Sequence, residues 1–178
     1  MNKNDKTNTT NPSGTEWSDL MALFPKFVDK KEWNDLSAEE WVEVLCEHPE
    51  FADHCESWDS FTGTDWMKLH LKHPFEYGFD DECRNRRGFG KLDGKEWATL
   101  LSQEPDFVED CEECGGFQKL DGNGWFDLLS AQGDIVDILA VCADCDGWHK
   151  MNLGQRQELF QDHPDLEEAF AQFVGIEP

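Results

Sequence analysis

The sequence predicts an all-α protein, a short helical-repeat solenoid or superhelical bundle of about six helix–turn–helix units. Three observations predict it. A Trp recurs at Trp17, Trp41, Trp66, Trp97 and Trp125, followed at three and four residues by a mostly apolar pair such as Leu100 and Leu101. Eight residues after each Trp stands Pro25, Pro49, Pro74, Pro105 or, once, Gly133. Arg156 takes the Trp place in a sixth copy that keeps Leu159, Phe160 and Pro164. Helix-capping residues precede every one of these reference positions.

The elements follow in order within each copy. Four residues before the reference stand Ser13, Ser37, Thr62, Asp93, Asp121 and Asn152. These are N-cap residues, whose side-chain oxygen accepts a free N–H of the first helical turn. One residue before the reference stand Glu16, Glu40, Asp65, Glu96, Gly124 and Gln155, most of which complete a capping box. Leu36, Phe61, Leu92, Leu120 and Met151 precede the caps and act as hydrophobic staples onto the reference Trp. The first helix then carries its apolar stripe on one face, as in Trp125, Leu128 and Leu129. The Pro ends that helix and suits the first position of a second, short helix. Phe51 with Cys55, and Phe107 with Cys111, have the spacing of its buried face. An extended link such as Phe117-Gln-Lys-Leu120 is expected to lead to the next staple. The reference positions lie 24, 25, 31, 28 and 31 residues apart, and the length changes are expected after the second helix.

These boundaries give a disordered tail over 1–12 and a single helical-repeat domain over 13–178. Its copies lie near 13–36, 37–61, 62–92, 93–120, 121–151 and 152–178, with Phe170, Phe173 and Val174 closing the C-terminal end. The pattern Trp-x-x-Leu-Leu-x-x-x-Pro-x-Phe-x-x-x-Cys, then aromatic-x-Lys-Leu-Asp-Gly, is fullest in Trp97, Leu100, Leu101, Pro105, Phe107, Cys111, Phe117, Lys119 and Leu120. It resembles the tandem Trp/Leu-Leu/Pro/Cys helical repeats of uncharacterised bacterial and phage proteins, over roughly residues 13–170. The resemblance implies a repeat fold and brings no catalytic residue with it.

Charge narrows the function classes. The chain has 39 acidic and 15 basic residues, a net charge of -24. That excludes a general nucleic-acid binder, because phosphate contacts need Lys and Arg, and favours a basic protein partner. The C-terminal half is the more acidic, its only bases being Lys119, Lys150 and Arg156. A basic island stands at Arg84, Arg86, Arg87, Lys91 and Lys95. No apolar stretch reaches signal-peptide or membrane length. Seven Cys, an odd number, are read as thiols in a reducing compartment, the cytoplasm of a bacterial host.

The candidate chemistry is thin. There is no phosphate-cradling glycine loop, nucleophile elbow or HExxH, so no catalytic residue is assigned and an enzyme is not expected. Cys111-Glu-Glu-Cys114 and Cys142-Ala-Asp-Cys145 form an alternative zinc set of four thiolates, though the pairs stand farther apart than zinc knuckles do. The competing reading is that Cys55, Cys83, Cys111 and Cys142 are small apolar residues at repeat positions. His48, His73 and His163 precede the repeat Pro and suit helix C-termini, whereas His54, His70 and His149 fit no pattern. Asp121-Gly-Asn-Gly-Trp125 has the look of the start of a calcium loop but lacks the preceding acidic ligands and a Glu at the twelfth position, and Asp121 is already accounted for as an N-cap.

What remains is an acidic edge: Asp106, Glu109, Asp110, Glu112 and Glu113 in copy four, with Asp134, Asp137, Asp144 and Asp146 in copy five. The expected function is an acidic module that uses this edge to mask a basic nucleic-acid-binding site on a partner. The concrete version is a phage-encoded, anti-CRISPR-type inhibitor of a defence nuclease. One alternative is a generic repeat adaptor that binds protein or peptide through a concave face. The other is a zinc-stapled regulatory module. In the bland reading the acids are a solvated, self-repelling face that keeps the chain soluble.

Overall fold

A computed structural model describes residues 14–27, 29–131 and 136–164. The tail over 1–12, the Ser13 cap, Gly133, Asp134 and the closing residues Phe170, Phe173 and Val174 lie outside the described residues. Among those described, regular structure is all helical, with eleven α-helices joined by short 3₁₀ turns. No helix among them is long and apolar enough to cross a membrane.

Six of the α-helices carry the reference positions, and each is 10 residues long. They are α1 (Gly14–Leu23), α2 (Ala38–Glu47), α3 (Gly63–Lys72), α5 (Gly94–Gln103), α8 (Gly122–Ala131) and α11 (Leu153–Asp162). Full capping boxes open α2, α3, α5 and α11, from Ser37/Glu40, Thr62/Asp65, Asp93/Glu96 and Asn152/Gln155. The α8 start is half a box: Asp121 Oδ1 accepts the Gly124 N–H at 2.8 Å, and Gly124 has no side chain to return the bond. The remaining α-helices are shorter: α4 (Phe79–Asn85), α6 (Val108–Glu113), α7 (Gly116–Lys119), α9 (Val136–Asp144) and α10 (Gly147–Lys150).

The long helices pack in chain order, α2 on α3, α3 on α5, α5 on α8 and α8 on α11. Trp41, Trp66, Trp97 and Trp125 are fully buried between them. Each stacks on the aromatic residue of its own preceding link: Trp33 on Trp41, Trp58 on Trp66, Phe89 on Trp97 and Phe117 on Trp125, at 5.5–5.7 Å between ring centroids. In the last copy Arg156 lies over the Trp148 ring at 5.5 Å, so a cation–π contact replaces the ring stack. The indole N–H groups of Trp41, Trp66, Trp97 and Trp125 find no hydrogen-bond partner. Burial wins over that loss. Each ring removes roughly 200 Å² from water, worth about 5 kcal/mol, against about 1–3 kcal/mol for an unpaired donor.

Three local expectations change. The link is a helical turn rather than an extended strand: Trp33–Asp35, Trp58–Ser60 and Phe89–Lys91 are 3₁₀, and α7 and α10 are single α turns. Only the staple residue is extended, with its N–H bonded back to the link aromatic, as Leu120 N–H is to the Phe117 carbonyl at 3.3 Å. The turn forms because it lets the aromatic face inward while closing its own backbone. Next, the segment after Pro49 is a 3₁₀ turn over Pro49–His54, not an α-helix. Finally, the extra length of copy three sits at residues 74–78, before its second helix α4 rather than after it.

Candidate protein-interaction surface

Helix α6 is held from inside. Pro105 opens the 3₁₀ turn Pro105–Phe107, and Phe107 and Cys111 are fully buried. Helical periodicity therefore turns Asp106, Glu109, Glu112 and Glu113 outward, and all four are exposed. Asp110 is different. It lies three residues after Phe107, on the inner side, and is only 7% exposed. Arg84 of α4 holds it with two parallel bonds, Nε to Oδ1 at 2.7 Å and Nη2 to Oδ2 at 2.9 Å. The same guanidinium reaches Asp80 at 2.9 Å. Asp110 is thus a tie between copies three and four, its carboxylate engaged by Arg84.

In copy five, Asp144 and Asp146 are exposed. Asp137 falls in α9, but its side chain is outside the described residues, as is the whole of Asp134. Asp146 has φ 56°, the left-handed conformation that Gly115 (φ 69°) and Arg87 (φ 56°) adopt at the equivalent point after α6 and α4. It serves as the residue that ends a helix, a role Asp tolerates better than most side chains. Its carboxylate also meets His149 Nδ1 at 2.6 Å. The two acidic edges adjoin: Glu112 is near enough to Cys145 to help raise that thiol's pKa, after the larger effect of burial.

The basic island is largely consumed internally. Besides Arg84, Arg86 pairs with Asp59 at 3.0 Å and Glu82 at 3.4 Å. Lys91 Nζ donates to the carbonyls of Asp59 and Phe61 at 2.9 and 2.7 Å. Lys119 and Lys150 repeat that contact one and two copies on, with the carbonyls of Gly90 and Leu92, and of Gln118 and Leu120. The sequence pattern aromatic-x-Lys contained this signal, but it was not read as a cross-tie. Arg87 and Lys95 remain exposed.

The alternative zinc set does not assemble. All seven Cys are free thiols. Cys111 and Cys142 are fully buried, Cys114 and Cys145 partly so. Burial drives all four thiols above their ordinary pKa, Cys142 to about 12. Among the described residues, no three His, Cys, Asp or Glu side chains are placed to hold a metal. Cys111 instead packs with the Trp97 indole around Gly116, where an added Cβ would come within 2.7 Å of both. His48, His73 and His163 sit at helix C-caps, with φ between -138° and -131°, and Glu104 fills the same place after α5.

Sequence reasoning passed over one exposed feature, the segment from Phe75 to Gly78 in copy three. Phe75 and Tyr77 are 43% and 58% exposed, and both have left-handed backbones (φ 54° and 56°). The signals were the departure of copy three from the repeat after Pro74 and the single Tyr of the chain. Compared with protein families, with curated proteins and with solved structures, the chain matches none.

Proposed function

We propose that the chain is a helical-repeat solenoid that binds a basic protein and covers its nucleic-acid-binding surface. The repeat reading is supported by six ten-residue helices, four of them opened by full capping boxes, by the chain-order packing of α2, α3, α5, α8 and α11, and by equivalent lysines that tie copies two to five. One observation carries the function: Asp106, Glu109, Glu112 and Glu113 stand exposed on a helix edge whose inner face is locked in the core, on a chain of net charge -24. Carboxylates at fixed positions on a rigid edge present the charge that a phosphate backbone presents, so they steer and seat a surface built for nucleic acid. In its concrete form the protein is a phage-encoded, anti-CRISPR-type inhibitor of a defence nuclease, working in the bacterial cytoplasm as a binding protein without catalysis.

Competition tests this. A candidate nuclease loaded with fluorescent DNA or guide RNA is titrated with the chain, at low and at moderate salt. Release of the nucleic acid is expected, weakening as salt rises. The variant carrying Asp106→Asn, Glu109→Gln, Glu112→Gln and Glu113→Gln should release it far less. Binding that leaves the nucleic acid in place, or is indifferent to this variant, rejects the masking role and favours an adaptor that uses another face.

A further inference from the structure

The masking reading supplies a charged edge but no anchor, and interfaces take most of their energy from a few aromatic or Arg contacts seated in pockets. Copy three holds such a feature, on residues other than those of the acidic edge of copies four and five. Between Pro74 and Phe79 the chain leaves the repeat. Phe75 and Tyr77 are bulky residues in the left-handed region, where such residues are rare. The surroundings hold them there. Phe75 stacks on Phe107 of copy four at 4.3 Å and 15°. Tyr77 lies edge-on to His73 at 5.4 Å and beside Phe79 at 6.1 Å. The effect is that Tyr77 stands over a cleft of about 450 Å³ between copies two and three.

The lining has two chemistries. Tyr77 gives an exposed aromatic wall above the buried Trp58 and Phe79, while Asp53, Asp81 and Glu82 give carboxylates. Asp53 is exposed and Asp81 is 78% exposed, with only a long contact of 3.6 Å to Arg84. Among the described residues Arg86 is the one Lys or Arg lining the cleft, and it is held by Asp59 and Glu82. Aromatic faces attract a cation through the ring quadrupole, and carboxylates at the rim fix its head group. An anionic ligand would meet repulsion there, and a purely apolar one would strip water from the acids without compensation.

We infer that this cleft is the socket for a Lys or Arg side chain of the basic partner protein, with Tyr77 as its aromatic wall and Asp53 and Asp81 as its counter-charges. The inference rests on the reading that the partner is a basic protein. It adds a place and a residue type: one basic side chain inserts beside Tyr77, and the partly exposed Phe75 covers the surface around it.

The single Tyr makes the site directly observable, because 3-fluorotyrosine incorporation gives one fluorine resonance from the cleft alone. The full chain so labelled is titrated with acetyl-Gly-Arg-Gly-Lys-Gly-amide. A saturable shift of that resonance is expected, absent with the matching Glu peptide. In the Asp53→Asn, Asp81→Asn variant the affinity should fall about tenfold. Both changes are at exposed positions, and an unchanged circular dichroism spectrum verifies the fold. The variant neutralised along α6 should keep the shift. No saturable shift overturns the inference, as does equal binding by the Asp53→Asn, Asp81→Asn variant. A shift that depends on protein concentration without peptide also overturns it, since it assigns the cleft to a second copy of the chain. If the peptide binds as expected while nucleic-acid competition fails, the masking role falls and the socket stands. If competition succeeds and the peptide is ignored, the socket falls alone.

Discussion

At the scale of single residues, His70 is the most consequential departure from the repeat. It sits four residues after Trp66, where Leu45, Leu101 and Leu129 stand in other copies. The repeat register thus places it in the core, which corrects its reading as unpatterned; its protonation state is not legible, because that depends on neighbours brought from later copies. The ring is fully buried, both nitrogens lack partners, and Phe89 and Phe107 lie at 4.9 and 4.8 Å. Desolvation lowers its pKa from 6.5 to about 4, opposed by Asp80 and Asp110 and reinforced by Arg84. The sign follows. The unfolded chain takes up a proton near 6.5 and the folded chain does not, so stability falls as pH drops from 6.5 towards 4. The slope is about 1.4 kcal/mol per pH unit, and the total about 3 kcal/mol. His70→Leu should remove this component and also relieve two unpaired buried nitrogens. Urea unfolding of both proteins at about pH 7.5 and about pH 5 measures it, the variant losing less stability on acidification. Equal losses would refute the assignment. Asp110 teaches the converse lesson. The sequence shows five acids close together, and periodicity alone hints that one faces inward, but its partner Arg84 is 26 residues away.

At the scale of elements, helix starts were legible because caps, boxes and staples are local, whereas the links were misread because residues far apart in the chain meet there. Gly94 shows this best. It is the first residue of α5, and the Lys119 link turn at the far end of the same copy lies directly against it, so an added Cβ would collide with the Lys119 carbonyl. Gly122 meets the Lys150 carbonyl in the same way one copy later. In an ordinary helix Gly→Ala gains about 1 kcal/mol from backbone propensity. Here the obstacle is backbone rather than a flexible side-chain tip, and such overpacking costs about 1–3 kcal/mol. Gly94→Ala is thus expected to destabilise, by up to about 2 kcal/mol net. Gly90→Ala is the control, since a Cβ there meets nothing within 4 Å. Denaturant midpoints decide the matter: a Gly94→Ala protein as stable as wild type would mean that the link turn does not press on the start of α5 as described.

At the scale of the whole molecule, the charge total was legible from composition, and its disposition was not. Cations are too few to neutralise the acids, and several of them are committed to ties: Arg84 and Arg86 to carboxylates, Lys91, Lys119 and Lys150 to carbonyls. The exposed acids of α6 and of the segment after α9 are left to repel one another. Two effects then compete as salt is added. Screening weakens ion pairs such as Lys30–Glu40 and Lys72–Glu47, which are surface contacts worth little each. It also relieves repulsion summed over a net charge of -24, which acts against the compact state. With 39 acids against 15 bases the second effect is the larger. Raising NaCl from about 10 mM to about 300 mM shortens the Debye length from about 30 Å to about 6 Å. The thermal midpoint should then rise by about 3–6 °C, equivalent to about 1–2 kcal/mol. In the variant neutralised at Asp106, Glu109, Glu112 and Glu113 the starting midpoint should be higher and the rise smaller. That pair of outcomes is what a charged edge kept at a cost in stability requires. A midpoint that falls with salt in the wild-type chain would show instead that its ion pairs outweigh its repulsion, and that the acids of α6 are already balanced within the fold.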